Sequence, residues 1–364
     1  MKYKRIYLFL YGEIGTDGRV QRSIEFLKSF HALEIHLISC GHSDYPIDGV
    51  IQHLVRIKPI GILNYIKFYK ASKHIIDKED INKSVFYLHD YYSILLAGAI
   101  RKRDGVYIYD AHELLIKDNS QKYTKREKLL LWAEKRYVHD AYRVIAANAE
   151  REMVMKETYR LNNTLYVLNI ADYKYQQIAG TIDVDTNWIV YQGVIIESRK
   201  LSFFIKSLKY LPSNYKIIFI GGGKSIDFLQ KIAREENVSD RVCFTGRLSN
   251  KEMMEKLKEC KVGIISYPFT TLNNIYCSPN KLYEYTAIGM PVISSKQPFL
   301  EKVITEYNIG GLFDFDNEKD FANNVEKIVD NYNLYTRNIP SFVKDYNIDK
   351  EKKKFVEALT PLFK

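Results

Sequence analysis

Short apolar runs rich in β-branched and aromatic residues recur along the chain, and stretches with helical spacing of apolar residues separate them. This alternation is typical of βα units arranged around a parallel sheet. The predicted strands are 6–10, 35–39, 84–88, 106–109, 143–146 and 165–168, followed by 188–191, 216–220, 242–244, 262–265 and 291–293.

The series of strands restarts after a polar stretch, residues 173–187. We therefore predict an α/β protein with two Rossmann-like, doubly wound domains, 1–180 and 181–345, and a closing helix at 346–364. Two such domains facing each other would hold a ligand in the cleft at the carboxyl ends of their strands.

The composition is that of a globular protein, with 364 residues of which 46% are hydrophobic and 27% charged. The basic start and the apolar run at 6–11 imitate a signal peptide, but Glu13 follows and there is no small-residue cleavage site. The four cysteines lie far apart without a C-x-x-C pair, which argues against a disulfide framework or a structural zinc site. Together these features predict a cytoplasmic protein.

The charge balance favours an anionic partner, because 54 Lys and Arg residues outnumber 44 Asp and Glu residues and give a net charge of +10. Phosphate groups, acidic lipid headgroups and nucleic acid all fit this charge, and charge alone does not choose among them.

The strongest local motif runs from Ser278 through Pro279, Lys281 and Glu284 to Gly289. We predict a short helix with serine as its N-cap and proline at its first position. A helix N-terminus with a lysine in its first turn suits phosphate, and a glutamate three residues later lies along the same face. The alternative is an ordinary capped helix with an exposed lysine–glutamate pair.

Two further clusters follow strands of the second half. Gly193 has no side chain, so another group can approach the backbone closely there. Arg199 and Lys200 come at the start of the next helix, where a guanidinium could bind phosphate oxygens. The alternative is a solvated basic turn. The run Gly221-Gly222-Gly223-Lys224 matches neither the P-loop nor the dinucleotide fingerprint, so a tight strand-to-helix turn explains it better.

Polar groups also follow strands of the first half. Gly12 and Gly15 belong to a glycine-containing loop after the first strand, and His112 follows the strand at 106–109. The dipeptide His89-Asp90 ends another strand. His112 could hydrogen-bond a sugar hydroxyl or orient a leaving group, although a lone histidine is more often a packing or surface residue. No set of residues has complete metal-ligand spacing, and we predict no metal.

In order along the chain, these motifs resemble the two-domain GT-B glycosyltransferases, in particular the retaining enzymes of glycosyltransferase family four. The resemblance covers nearly the whole chain. It rests on Asp17-x-Arg19-Val20, Tyr109-Asp110-Ala111-His112-Glu113-Leu114, Tyr191-Gln192-Gly193 with Arg199-Lys200, Ile220-Gly221-x-Gly223, Phe244-x-Gly246, and Pro279-Asn280-Lys281-Leu282-x-Glu284-Tyr285 through Gly289-x-Pro291-Val292-Ile293.

The resemblance implies transfer of a sugar from a UDP- or GDP-linked donor, with no further cofactor and with retention of the anomeric configuration. It implies that Arg199 and Lys281 bind the diphosphate, Glu284 the ribose, the backbone at 246–248 the base, and His112 the transferred sugar. The other expected donor-binding residues are Gly12, Gly15, Gly193, Lys200, Gly221, Gly246, Arg247, Ser278 and Asn280. Tyr276 occupies a position where many members have a glutamate that touches the donor sugar.

The expected acceptor is a glycan or lipid-linked molecule of the cell envelope. The stretches 62–70 and 122–137 mix basic and bulky apolar residues and could lie on an anionic membrane surface, or they could be helices packed on their own sheet. A sugar-nucleotide epimerase of the same fold is the nearest alternative. A basic nucleic-acid-binding module is supported only by the charge, and we expect no nucleic acid partner.

Overall fold

The computed structural model describes residues 2–42, 45–118, 121–170 and 187–364 of the chain. The chain divides into two units, one comprising Met1–Asn169 with Asp349–Lys364 and the other Ile170–Ile348. The boundary predicted at residue 180 lies outside the described residues.

The first unit contains a seven-stranded parallel sheet in the order β3-β2-β1-β4-β5-β6-β7. Its strands are β1 (Arg5–Leu10), β2 (Glu34–Cys40), β3 (Val50–Val55), β4 (Ser84–His89), β5 (Val106–Ala111), β6 (Arg143–Ala146) and β7 (Thr164–Tyr166). Its helices before the second unit are α1 (Gly18–Leu27), α2 (Ile62–Lys78), α3 (Ala97–Arg101), α4 (Lys125–Tyr137) and α5 (Ala149–Tyr159).

The central strands of this sheet are apolar along almost their whole length because both faces of the sheet are covered. Ile6, Leu8 and Phe9 of β1 are completely buried. Helix α1 begins directly after the loop that follows β1, where the Asp17 carboxylate accepts hydrogen bonds from the main-chain N–H groups of Arg19 and Val20.

The second unit repeats the arrangement with six parallel strands in the order β10-β9-β8-β11-β12-β13. The strands are β8 (Asn187–Gln192), β9 (Tyr215–Ile220), β10 (Val242–Gly246), β11 (Val262–Ile265), β12 (Val292–Ser295) and β13 (Gly310–Phe313). The helices are α6 (Ser202–Ser207), α7 (Ile226–Glu235), α8 (Asn250–Leu257), α9 (Leu272–Ile275), α10 (Asn280–Ala287), α11 (Pro298–Tyr307), α12 (Glu318–Asp330) and α13 (Tyr332–Asp345).

The last helix, α14 (Ile348–Phe363), belongs from Asp349 onward to the first unit. Its Glu351 carboxylate accepts a hydrogen bond from the main-chain N–H of Leu168 at 2.7 Å, and its Phe355 packs against Phe26 of α1. Among the described residues, no helix is both long and apolar enough to cross a membrane. All four cysteines are free thiols.

The predicted fold class is confirmed, since both sheets are parallel and doubly wound. Each sheet has a point where the chain reverses the direction in which strands are added: between β1 and β4 in the first unit and between β8 and β11 in the second. Ligands of open α/β sheets bind at the carboxyl ends of the strands beside such a switch point.

Candidate active site

Residues from three segments meet at the switch point of the second unit. Arg199 closes a short 3₁₀ turn, Glu197–Arg199, after β8. Tyr267 comes two residues after β11, and Lys281 lies in the first turn of α10. The predicted pair Arg199 and Lys281 is therefore brought together with a tyrosine that the sequence analysis did not single out.

The two cations share the ring of Tyr267. The guanidinium carbon of Arg199 lies 4.1 Å from the ring centroid, and the Lys281 ammonium lies 5.2 Å from it. The ammonium also lies 4.7 Å from the centroid of the Tyr191 ring. The rings hold both cations without neutralising their charge.

Burial, together with the like charge of Arg199, lowers the pKa of Lys281 to about 8, against an opposing effect of Glu284. The site therefore disfavours the ammonium cation when no anion is bound. A phosphate group placed beside Arg199 and Lys281 would restore the ordinary preference for the charged form.

Helix α10 begins one residue later than predicted. Pro279 itself has the extended N-cap conformation, with φ −77° and ψ 142°, and the first helical residue is Asn280, whose side chain is exposed. The prediction of Ser278 as the N-cap was therefore wrong. Its hydroxyl lies 2.7 Å from the hydroxyl of Tyr283 instead.

Glu284 is held by an amide rather than exposed in solvent. The Nε2 group of Gln192 donates a hydrogen bond to the Glu284 carboxylate, joining the end of β8 to α10. Both Lys281 and Glu284 are only partly exposed, so the alternative of an exposed lysine–glutamate pair does not describe this helix.

The glycines after β8 and β9 bring their two loops into main-chain contact. The Gly193 N–H donates to the carbonyl of Ile220 at 2.9 Å, and the Gly221 N–H donates to that of Gly246 at 2.9 Å. A Cβ atom on Gly221 would lie 2.0 Å from the Gly193 carbonyl oxygen, and one on Gly223 would lie 1.9 Å from that of Ile195. The tight turn inferred from the sequence explains this run of glycines.

Two other expected donor-binding side chains have aromatic or main-chain neighbours. Lys200 has φ +51°, and its ammonium lies 5.1 Å from the ring centroid of Phe315, so it contacts a different ring from Arg199. Arg247 lies against the backbone of Gly222. A Cβ atom added to Gly222 would lie 3.0 Å from the Cγ atom of Arg247.

In the first unit, a polar cluster lies at the switch point between β1 and β4. The Arg19 guanidinium donates to Asp110 Oδ1 through Nε at 3.0 Å and Nη2 at 2.6 Å, and its Nη1 donates to the carbonyl of Val167 at 2.9 Å. The pair is almost completely buried. Burial alone would raise the pKa of the Asp110 carboxyl, but Arg19 holds it well below its usual range.

His112 belongs to this cluster. Its Nε2 lies 3.2 Å from Nδ1 of His89 and 4.0 Å from Asp110 Oδ2, and its Nδ1 lies 3.8 Å from Asp17 Oδ2. Burial lowers the pKa of His112 to about 4, although Asp110 and Asp17 oppose this effect. The imidazole is therefore neutral at pH 7.

Nitrogen atoms of His89 and His112 and an oxygen of Asp110 lie within 4.8 Å of one another, a spacing that could admit a metal ion. However, Arg19 already donates two hydrogen bonds to one oxygen of Asp110, and the Tyr87 hydroxyl donates to the other at 3.0 Å. A dication would have to displace the tyrosine and lie next to a guanidinium. The absence of a metal stays a prediction.

The glycines expected after β1 have local structural partners. The carbonyl of Gly12 accepts a hydrogen bond from the N–H of Cys40 at 2.9 Å. Gly15 lies against the ring of Tyr45 and lines a cavity of about 180 Å³ together with Glu13 and Gln52.

Comparison with solved structures shows the fold class of the protein. The structure of HepE from Anabaena in complex with UDP and glucose aligns with a TM-score of 0.76 at 14% identity, covering 99% of this chain and 100% of that chain. Sucrose-phosphate synthase from Thermosynechococcus elongatus aligns with a TM-score of 0.76 at 16% identity, covering 99% of each chain. With its two doubly wound units, the protein has the GT-B fold.

A family match comes from the sequence of the second unit. Residues 176–341 match the family model described as Glycosyl transferases group 1. The lipopolysaccharide core biosynthesis glycosyltransferase LpsE of Rhizobium meliloti (strain 1021) is 26% identical over 153 residues, which are 42% of this chain and 42% of LpsE. The matched part thus spans less than half of that relative's length. The narrower resemblance to family four stays a prediction.

Proposed function

We propose that the protein is a glycosyltransferase that moves a sugar from a nucleotide-diphosphate sugar to a cell-envelope glycan or a lipid-linked acceptor, with retention of configuration. The observation that carries this proposal is the pair of cations, Arg199 and Lys281, held against Tyr267 at the switch point of the unit whose sequence matches the group 1 family model.

The donor would be bound through its diphosphate by Arg199 and Lys281 and through its ribose hydroxyls by Glu284. A carboxylate offers about four acceptor positions, and the amide of Gln192 uses one of those of Glu284. The presence of UDP in the HepE structure supports a UDP-linked donor. A GDP-linked donor is the alternative, and the binding experiment below compares the two.

The reaction would break the bond between the anomeric carbon and the diphosphate oxygen, leaving negative charge on the diphosphate. Arg199, Lys281 and the N-terminus of α10 would stabilise that charge without a metal ion. The departing phosphate oxygen would take the proton of the acceptor hydroxyl, and the acceptor oxygen would form the new bond to the anomeric carbon on the face that the diphosphate leaves, which gives retention. His112 would contact the transferred sugar.

The acceptor proposal draws on the role in lipopolysaccharide core biosynthesis that is stated for LpsE. It also draws on a surface of the first unit that we call the basic–apolar surface. This surface consists of the exposed residues Ile62, Leu63, Ile66, Lys67 and Lys70 of α2 and Lys125, Lys128, Leu129, Trp132 and Arg136 of α4.

The two helices are joined at Tyr92. Tyr65 of α2 donates to the Tyr92 carbonyl at 2.8 Å, and Arg126 of α4 donates to the Tyr92 hydroxyl at 2.6 Å. Exposed leucine, isoleucine and tryptophan beside lysine and arginine match the interface of an anionic bilayer. We therefore propose a cytoplasmic protein that binds the inner face of the cell membrane peripherally.

The donor site is tested by calorimetric titration of UDP, GDP and their sugars, followed by turnover with the donor that binds. Lys281→Ala and Arg199→Ala should each cost about 2–4 kcal/mol of transition-state stabilisation. Lys216→Ala is the matched control, because Lys216 also lies over an aromatic ring, that of Trp188, but at the amino end of β9. Wild-type turnover in Lys281→Ala would refute the proposed role of Lys281 in binding the diphosphate.

Product analysis separates the remaining alternatives. NMR of the product should show a retained anomeric configuration, and an inverted linkage would end that part of the proposal. Incubation of the donor without acceptor exposes a sugar-nucleotide epimerase through an epimer or free nucleotide.

The basic–apolar surface is tested by flotation with vesicles of acidic phospholipid. Binding should fall at high salt and in a Leu63→Ser/Trp132→Ser variant, while Phe228→Ser, which removes an exposed aromatic residue of the second unit, should leave it unchanged. Equal flotation of all three proteins would contradict this surface.

A further inference from the structure

The two histidines of the first-unit cluster form one hydrogen bond whose direction can be worked out. His89 Nδ1 and His112 Nε2 lie 3.2 Å apart, so one of these nitrogens carries the proton and donates the hydrogen bond, and the other nitrogen accepts the hydrogen bond. His89 is completely buried, and its second nitrogen, Nε2, has no hydrogen-bond partner among the described residues.

A proton on Nε2 of His89 would be a buried N–H without an acceptor, and it would leave Nδ1 with a lone pair facing a carboxylate. A proton on Nδ1 instead donates to His112 and points toward Asp110 Oδ2, 3.6 Å away. Because Arg19 keeps Asp110 ionised, the second arrangement is favoured both by hydrogen bonding and by charge.

Tyr87 restrains His89 in this orientation through two contacts. The Tyr87 ring stacks on the imidazole with a centroid distance of 4.2 Å, and the Tyr87 hydroxyl donates to Asp110 Oδ2 at 3.0 Å. The imidazole, the carboxylate and the phenol therefore form one packed group.

We propose that His89 and Asp110 are positioning residues that fix His112 as the tautomer with its proton on Nδ1. Because Nε2 of His112 accepts from His89, the neutral ring must carry its proton on the other nitrogen. This Nδ1–H is the group left for a ligand oxygen, and its nearest carboxylate oxygen, Asp17 Oδ2, lies 3.8 Å away.

This inference deepens the proposed function and, as far as catalysis is concerned, rests on it. His112 would donate a hydrogen bond to a hydroxyl of the transferred sugar and would not act as a general base through Nδ1. The tautomer itself is a property of the free protein and does not depend on the reaction.

The tautomer is tested by long-range ¹H–¹⁵N correlation NMR on the full chain, labelled with ¹⁵N-histidine, without ligand and with a chelator. Loss of one ring system in His112→Gln assigns the signals of His112. We expect Nδ1 to show the shift of a protonated nitrogen and Nε2 that of an unprotonated one. The reverse pattern in the wild-type protein would overturn the proposal.

Two substitutions test the role of His89. In His89→Asn the amide nitrogen can replace the Nδ1–H donor, and the tautomer of His112 should persist. In His89→Leu the donor is lost, and His112 should shift at least partly to the Nε2–H form, donating toward Asp110. An unchanged tautomer in His89→Leu would contradict the proposal, and if that variant does not fold, the wild-type spectrum still decides.

Turnover then separates this inference from the proposed function. With a donor and acceptor in hand, His89→Leu should lower kcat/KM about 10- to 100-fold, and His89→Asn should recover most of it. If the tautomer shifts while turnover stays at the wild-type level, the positioning stands and the role of His112 in sugar transfer fails.

Discussion

A Cβ atom placed on Gly193 would lie 3.3 Å from the Nζ of Lys281, so the main chain after β8 and the cation on α10 are direct neighbours. Gly193 also has φ +129°, a conformation that side chains of L-residues rarely adopt. The loop after the first strand of the second unit therefore helps to set the position of the proposed phosphate-binding lysine.

Gly193→Ala should weaken donor binding about tenfold, because the added methyl group displaces the Lys281 ammonium from its place between the rings. It should also lower stability through the strained φ. Gly49→Ala is the control, since Gly49 has φ +71° and open space around the added atom. Calorimetric titration with the donor nucleotide measures the difference, and wild-type affinity in Gly193→Ala would show that the contact is unimportant.

Gly223→Ala should destabilise the second unit by about 3 kcal/mol, because its Cβ atom would lie 1.9 Å from the main-chain oxygen of Ile195. Gly222→Ala should cost less than about 1 kcal/mol, because its Cβ atom meets only the flexible Arg247 side chain. Neither glycine has positive φ, so the difference between the two variants reports the close approach of the added Cβ atom to the Ile195 oxygen and not backbone strain. Denaturant unfolding compares them, and equal midpoints would contradict the argument.

Donor affinity should depend on pH through Lys281. The pKa of Lys281 is lowered from 10.5 to about 8 in the free protein, so its positive charge is present at pH 7 and is lost as the pH rises through 8. A diphosphate bound beside Lys281 would raise that pKa again, and binding above pH 8 would therefore take up a proton.

The affinity of a nucleotide sugar should be constant below pH 7 and fall by up to about tenfold per pH unit above pH 8. Lys281→Arg stays charged and should show a flatter profile, while any titration of the nucleotide itself is common to both proteins. Titrations at pH 7 and 9 decide the point, and identical profiles would exclude Lys281 as the titrating group.

Eleven of the thirteen strands in the described part of the chain were predictable because their apolar runs are covered on both faces or are bounded by clear turn signals. The two that were missed, β3 (Val50–Val55) and β13 (Gly310–Phe313), are both edge strands. The first has polar Gln52 and His53 in its middle, and the second begins with two glycines. The other two edge strands, β7 and β10, carry apolar runs and were predicted, so the polar residues of β3 and the glycines of β13 are the reason that hydrophobic pattern alone does not reveal them.

The proposed donor site was only partly predictable. Arg199 and Lys281 stand in recognisable local motifs, whereas Tyr267 is one aromatic residue in a chain of 29 tyrosines. The one feature of the sequence that could have indicated Tyr267 as a site residue is its position just after the buried strand β11. The ion pair of Arg19 with Asp110 joins residues 91 positions apart, and such a contact follows from strand order rather than from spacing.

Removal of Arg19 should be costly because it leaves a carboxylate buried without its countercharge. The side chains of Arg19 and Asp110 are 8% and 1% exposed, so Arg19→Met should destabilise the first unit by about 3–5 kcal/mol. Arg101→Met is the matched control, because Arg101 pairs with Asp140 at 2.9 Å where both side chains are more than a third exposed, and it should cost less than about 1 kcal/mol. Denaturant unfolding at pH 7 measures both variants. A loss of stability in Arg19→Met no larger than in Arg101→Met would mean that the buried pair does not hold the cluster around His112 together.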